Sequence, residues 1–352
     1  MERIPRRRES TRRRSPTILD VAAAAGVSRG TVSRVINGGH WVSPRSLAAV
    51  QEAISTTGYQ INPHARSLVT GRSNSVAFLL TEPQHLLFED PNFSILLRGA
   101  AEALGKRGMP LLLMVAGTPA ERKQVLGYVS GGHVDGVLLI SSHANDPVVE
   151  ALVSRGIPAI ACGAPLGFES RMGYVSADDL GGARQMTRHL LDLGRTRIAT
   201  ITGPMDTPGG RLRLEGYHLE LGERFDPELV AHGDYTREGG ATAMRELLDR
   251  RPDLDAVFVA SDLMAAGALA VLRAAERRVP DDVAVGGFDD SGLAATLDPQ
   301  LTTMRQPFER ISTEIVRLLL EVVDGAEPAA MTLPTTLVVR ASTSPASPES
   351  VG

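Results

Sequence analysis

The chain has 352 residues, yet only one cysteine and one tryptophan, and no lysine in its first 72 positions. A lone Cys162 excludes an intrachain disulfide framework and fits a reducing compartment. Its setting in "IPAIACGAP" reads as inert core. No run is long and apolar enough to span a bilayer, and "MERIPRRRESTRRR" lacks the apolar stretch of a secretory signal. A cytoplasmic protein without membrane contact is the expectation. The patterns G-x-S-x-G, Walker A, H-E-x-x-H and G-x-G-x-x-G are also missing. The commonest hydrolytic, nucleotide and metal chemistries therefore have no motif here, and neither a cofactor nor a metal is expected.

What is present is uneven. Through Arg72 there are 12 arginines and four acids, so this part carries +8, and the overall charge of −4 leaves −12 on the remainder. A basic head on an acidic body points to a polyanion partner for the head. A merely solvated basic tail is the plainer alternative, and residues 1–16 are expected to be a disordered basic arm.

"SPTILDVAAAAGVSRGTVSRVINGG" repeats its apolar residues at helical spacing. Thr17 with Asp20 is a capping-box pattern, and Ile18, Val21, Ala22 and Ala25 share one face. Gly26 ends that helix. Ser28 caps a second one whose inner face is Val32, Val35 and Ile36, leaving Arg29, Gly30, Ser33, Arg34 and Asn37 outside. Two short helices about a glycine turn, the second with a polar outer face, predict a helix-turn-helix over 17–60 that presents its second helix to a major groove. A third helix is capped by Ser43, begins at Pro44 and packs through Leu47, Val50 and Ile54. In "NPHARSLVTG", Asn62, Pro63 and Gly71 bound a very short helix, placing a hinge over 61–72.

"TILDVAAAAGVSRGTVSRVINGG" followed by "GYQINPHARSLVTGRSNSVAFLL" resembles the DNA-binding head of the LacI/GalR family of transcriptional repressors, continuously from Thr17 to about Leu80 and more loosely to Arg340. The resemblance implies double-stranded operator DNA and a homodimer as partners. It puts Arg29 and Gly30 at the positions that choose bases, where arginine can bond bidentately to guanine. Thr31, Ser33 and Arg34 fall at phosphate or base-edge positions. Leu68 falls at the leucine that wedges into the minor groove, with Asn62, His64 and Arg66 around it. Trp41 departs from the family pattern and either stacks on the sugar-phosphate or plugs the gap beside the third helix.

From Ser75 onward, short β-branched and leucine runs alternate with helical segments, the pattern of a doubly wound α/β fold. The number of strands calls for two halves and a cleft at the strand ends. The resemblance implies a periplasmic-binding-protein-like (type I) body over 73–340, with subdomains of about 75–173 plus 304–340, and 174–303. The tail 341–352 is expected to be disordered. It carries no leucine heptad, which favours a dimer over a tetramer.

Candidate effector residues lie at strand ends. By resemblance "RLRLEGY" puts Arg213 in the pocket, and "GFDDS" puts Phe288 and Asp289 there. "ASDLM" offers Ser261 and Asp262, "VSADD" offers Asp178 and Asp179, "FEDPNF" offers Phe88, Asp90 and Phe93, and "RQPF" offers Gln306 and Phe308. Aromatic faces with carboxylate, amide and guanidinium groups suit a sugar; the alternative for each acid is a helix cap or an arginine partner. Gly209–Gly210 should leave room for a larger ligand, and "TEPQHLLFEDPNFSILLRGA" with "HANDP" is similar to members that answer to β-linked disaccharides such as cellobiose. A purine-corepressed regulator, a glycoside-acting enzyme using paired acids and a secreted sugar-binding protein are the competing readings.

Overall fold

The computed structural model describes residues 16–36, 41–60 and 72–344. The chain divides into two compact units, residues 1–73 and 74–352.

In the first unit, helices α1 (Ile18–Ala25), α2 (Arg29–Ile36) and α3 (Pro44–Thr57) enclose a small core of Val21, Ala22, Val32, Val50 and Ala53. The end signals act as read. Thr17 donates both its backbone N–H and its hydroxyl to Asp20. The Ser28 hydroxyl accepts from the Thr31 N–H at 3.1 Å, and Ser43 from the Ser46 N–H at 3.2 Å. Gly26 and Gly58 close α1 and α3 with φ of 64° and 65°, which a side chain would resist. Leu47 departs from expectation. It is exposed, and Ala53, one turn on from Val50, takes the inward place.

The second unit holds two six-stranded sheets. The first contains β1 (Val76–Leu80), β2 (Leu111–Val115), β3 (Gly136–Ile140), β4 (Ala159–Cys162), β5 (Gly173–Ala177) and β11 (Ala330–Leu333), ordered β11-β5-β4-β3-β1-β2. The second contains β6 (Ile198–Thr202), β7 (Val230–His232), β8 (Ala256–Val259), β9 (Ala284–Asp289), β10 (Thr302–Arg305) and β12 (Thr336–Val338), ordered β12-β10-β9-β8-β6-β7. All pairings are parallel except β10 with β12. The buried runs "VAFLL", "GVLLI" and "IATIT" are wholly inside because helices cover both faces.

Sheet membership moves the expected subdomain boundaries. Gly173–Ala177 pairs with β4 and β11, so the first subdomain continues to Ala177 rather than ending at 173. Met304 pairs with Phe288 of β9, so the crossover back begins only after Arg305. β12 pairs with β10, so the chain re-enters the second subdomain before residue 340. The start of the expected disordered tail is also structured: Ser342 and Thr343 are buried, and the Ser342 hydroxyl donates to the Val285 carbonyl and accepts from the Thr302 N–H.

Candidate functional sites: a helical face and a cleft

On the first unit, Ser28, Arg29, Gly30 and Arg34 are exposed along the start and outer face of α2, with Thr31 and Ser33 half-buried beside them. The buried Val32 anchors the opposite side, so the helix presents a polar strip with two guanidinium groups. Trp41 is 95% exposed with φ of 94°; it does not plug a gap beside α3. Asn37, Asn62, His64, Arg66 and Leu68 lie outside the described residues.

In the second unit, a cleft with a cavity volume of about 160 Å³ lies at the carboxyl ends of both sheets. It brings together Asp90, Phe93, Arg213, Ser261, Asp289, Gln306 and Phe308 from the sequence reading. Each is placed by a local signal. Asp90 caps the helix Pro91–Gly105 through the Asn92 N–H, and Ser261 caps the helix Asp262–Ala274. Asp289 ends the buried strand β9.

Four expected residues are elsewhere. Phe88 is 79% exposed, because Leu87 takes the inward position of the short helix Leu86–Glu89. Asp178 caps the helix Asp179–Asp192, accepting from the Gly181 N–H, and it is Asp179 that reaches the cleft. Phe288 is fully buried behind the wall, since successive strand residues face opposite sides of the sheet. Asp262 is buried too, bonded to the Thr303 hydroxyl and the Asp290 N–H. Asn92, Ser141, Ser142, Ser176, Thr207 and Tyr235 also line the cleft. Asn92 stood inside "FEDPNF" and Thr207 is a helix cap before Pro208; the others had no sequence signal. Of the two glycines, Gly209 lines the cleft, but a Cβ at Gly210 would lie 2.1 Å from the Pro204 carbonyl oxygen. Gly210 allows a close backbone approach and leaves no room for ligand.

The second-subdomain wall is a finished ionic network. Arg213 Nε donates to Asp179 at 2.8 Å, its Nη2 is also 2.8 Å from that carboxylate, and Nη1 lies 3.7 Å from Asp289. Nη1 also donates to the Ala260 carbonyl. The guanidinium stacks on Phe288 at 3.7 Å from the ring centroid. Burial works against its charge, but Asp179, Tyr235 and Asp289 outweigh that and raise its pKa. Burial pushes Asp289 upward, opposed by Arg213 and by hydrogen bonds from Asn92 and Gln306.

The first-subdomain wall differs. Asp90 is pushed up to about 7, first by burial and then by Asp289. Asn92 Oδ1 and Ser142 Oγ are buried without a hydrogen-bond partner among the described residues, in the same cleft lining as Phe93 and Phe308. Burial also pushes the Cys162 thiol up to about 12, which keeps it protonated. Near the cleft, His143 bridges the subdomains, with Nε2 2.9 Å from Glu82 and Nδ1 2.9 Å from Asp206. The Ala144 N–H donates to the Asp206 carbonyl beside it.

Comparison with known proteins agrees with this geometry. Residues 17–62 match the model for bacterial regulatory proteins of the lacI family, and residues 187–343 match a periplasmic binding protein-like domain. The chain is 48% identical to the HTH-type transcriptional regulator CelR of Thermobifida fusca over 94% of its own length and 99% of that protein. It is 35% identical to the ribose operon repressor of Escherichia coli K12 over 86% and 92%. Among solved structures it is similar to a CelR–cellobiose complex (TM-score 0.75, 45% identity, 93% and 99% covered). It is also similar to the lac repressor dimer bound to operator (TM-score 0.82, 26% identity, 94% and 99% covered). With a helix-turn-helix head, a two-sheet cleft-bearing body and relatives that match along nearly the whole length, the chain belongs to the LacI family of DNA-binding transcriptional regulators.

Proposed function

We propose that the protein is a cytoplasmic homodimeric repressor of carbohydrate-utilisation genes, released from a palindromic operator when a β-linked disaccharide such as cellobiose occupies the cleft. The carrying observation is the pair of buried atoms without a partner among the described residues, Asn92 Oδ1 and Ser142 Oγ, in a cleft also lined by carboxylates, a guanidinium and two aromatic rings. Buried polar atoms without partners are costly, and a hydroxyl-rich ligand with an apolar face supplies what both the orphans and the rings lack. The close relative whose complex holds cellobiose supports that sugar.

On DNA, Arg29 reads a guanine, Thr31, Ser33 and Arg34 hold phosphates or base edges, and Leu68 wedges the centre of the operator. Ligand closes the cleft and shifts the balance between two states of the dimer. A hundredfold loss of operator affinity requires about 3 kcal/mol of coupling. Binding is favoured over hydrolysis because Asp179 and Asp289 both pair with Arg213, which leaves Asp90 without a free second carboxylate among the acids lining the cleft.

The test is fluorescence anisotropy on the DNA upstream of the protein's own gene, titrated with cellobiose. Release at saturating sugar is expected, while tighter binding would replace induction by corepression. Arg29→Ala should cost about 1–3 kcal/mol on that site and little on random DNA. A chromogenic β-glucoside should remain uncleaved.

A further inference from the structure

The turn that carries Asp289 needs support. Asp289 has φ of 125° and Asp290 φ of 53°. Aspartate tolerates the left-handed well near the second value, but the first lies outside it. Such backbone persists only where its surroundings over-determine it. Here those surroundings are specific groups. The Asp290 N–H donates to Asp262 Oδ2 at 2.7 Å, and the other oxygen of Asp262 accepts the Thr303 hydroxyl at 2.6 Å. Asp262 fits because Gly287 has no side chain; a Cβ there would lie 2.5 Å from Asp262 Oδ1.

The Asp290 carboxylate, only 4% exposed, accepts from Arg305 Nε and from Arg340 Nη2, both at 2.7 Å. Arg305 is the last residue of β10, just before the chain crosses to the first subdomain. Arg340 follows β12, by which the chain has returned. One buried carboxylate thus ties the end of β9 to both of these strands. Asp290, Arg305 and Arg340 do not line the cleft.

We propose that Asp290, gripped by Arg305 and Arg340, is a positioning residue that holds the left-handed turn and so aims the Asp289 carboxylate at the effector. The inference rests on the reading of the cleft as the effector site. Two guanidinium groups on one desolvated carboxylate are charge-assisted and directional, which is what a strained turn requires. Asparagine matches aspartate in shape and also tolerates left-handed φ. Asp290→Asn therefore removes the charge from the clamp without changing what the backbone can adopt.

The experiment is isothermal titration of the full-length protein with cellobiose, for wild type, Asp290→Asn, Asp289→Asn and the double variant. Asp290→Asn should weaken cellobiose binding about tenfold and leave ligand-free operator affinity unchanged. In the Asp289→Asn background it should add almost nothing, because it acts through Asp289. A merely structural role would make the two losses multiply, and that result overturns the proposal. Arg305→Gln provides a second arm, since Arg305 is more than half exposed and Arg340 still pairs with the Asp290 carboxylate; its melting temperature is measured alongside. About a threefold loss is expected there, and wild-type affinity would also overturn the clamp. If Asp289→Asn alone binds cellobiose as well as wild type, the reading of the cleft itself falls and the clamp falls with it.

Discussion

The two walls of the cleft are built on opposite principles. On the second-subdomain side, Arg213, Asp179, Asp289 and Phe288 already satisfy one another. On the first-subdomain side, Asn92 and Ser142 hold buried atoms with no partner among the described residues, and Asp90 sits with a raised pKa. One wall is preorganised and loses little on meeting a ligand. The other carries unmet hydrogen bonds that a ligand can complete. A two-state switch benefits from that division, because the ligand then has a differential interaction with the closed state.

The comparison can be broken most violently at its ionic centre. Arg213→Ala would leave Asp179 and Asp289 buried without their counter-ion, at a cost of about 3–5 kcal/mol in unfolding free energy. Urea denaturation checks this; a loss below 1 kcal/mol would mean that the network is hydrated and not preorganised. Asp289→Ala comes next. It should weaken cellobiose more than tenfold while leaving operator affinity intact, yielding a repressor that no longer lets go. Anisotropy with and without saturating sugar decides it, and normal release would reduce Asp289 to a structural group.

The opposite wall should respond in the opposite sense. Ser142→Ala breaks no hydrogen bond among the described residues, so its melting temperature should stay within a degree or two of wild type. Effector affinity should still fall by about 0.5–1.5 kcal/mol, the value of one hydrogen bond. A loss of stability without loss of affinity would reverse the assignment of the two walls.

The smallest effect is expected from the bridge between them. His143 is raised to about 9, first by its hydrogen bond to Glu82 and further by Asp206. Its folded pKa lies above the ordinary value of 6.5, so its contribution is fully present below pH 6.5 and is lost as pH rises toward about 9. Comparing the melting temperatures of wild type and His143→Gln across that window should show a difference that fades with rising pH. The bridge is partly exposed, so salt should shrink the difference as well.

Much of the site was legible in local sequence, and the misses are instructive. Ser261 is legible because a capping residue sits at a strand-to-helix turn wherever the chain folds that way, whereas Asp90 came with the segment "FEDPNF" and caps Pro91–Gly105 directly after the short helix Leu86–Glu89. Asp178 and Asp179 were not separable by that logic, since either can begin a helix; the structure makes the first the cap and turns the second to Arg213. Phe288 and Asp289 should have been separable, because strand residues alternate sides and only one of the pair can face a cleft. Phe88 and Leu87 occupy a single helical turn too short to show a period.

What the sequence determined by itself is the set of local decisions. These include the caps at Ser28 and Ser43, the left-handed glycines at 26 and 58, the polar face of the second helix, and the apolar runs that can only be buried strands. Each depends on neighbours a few residues away. Tertiary structure alone decided which sheet β5, β10 and β12 join, that Ser342 is buried against β9, and that Tyr235, Ser142 and Asn92 meet in one cleft. Those outcomes depend on contacts between residues tens to hundreds of positions apart. Many pairings of apolar strands satisfy the local pattern equally well, and only packing of the whole chain selects among them.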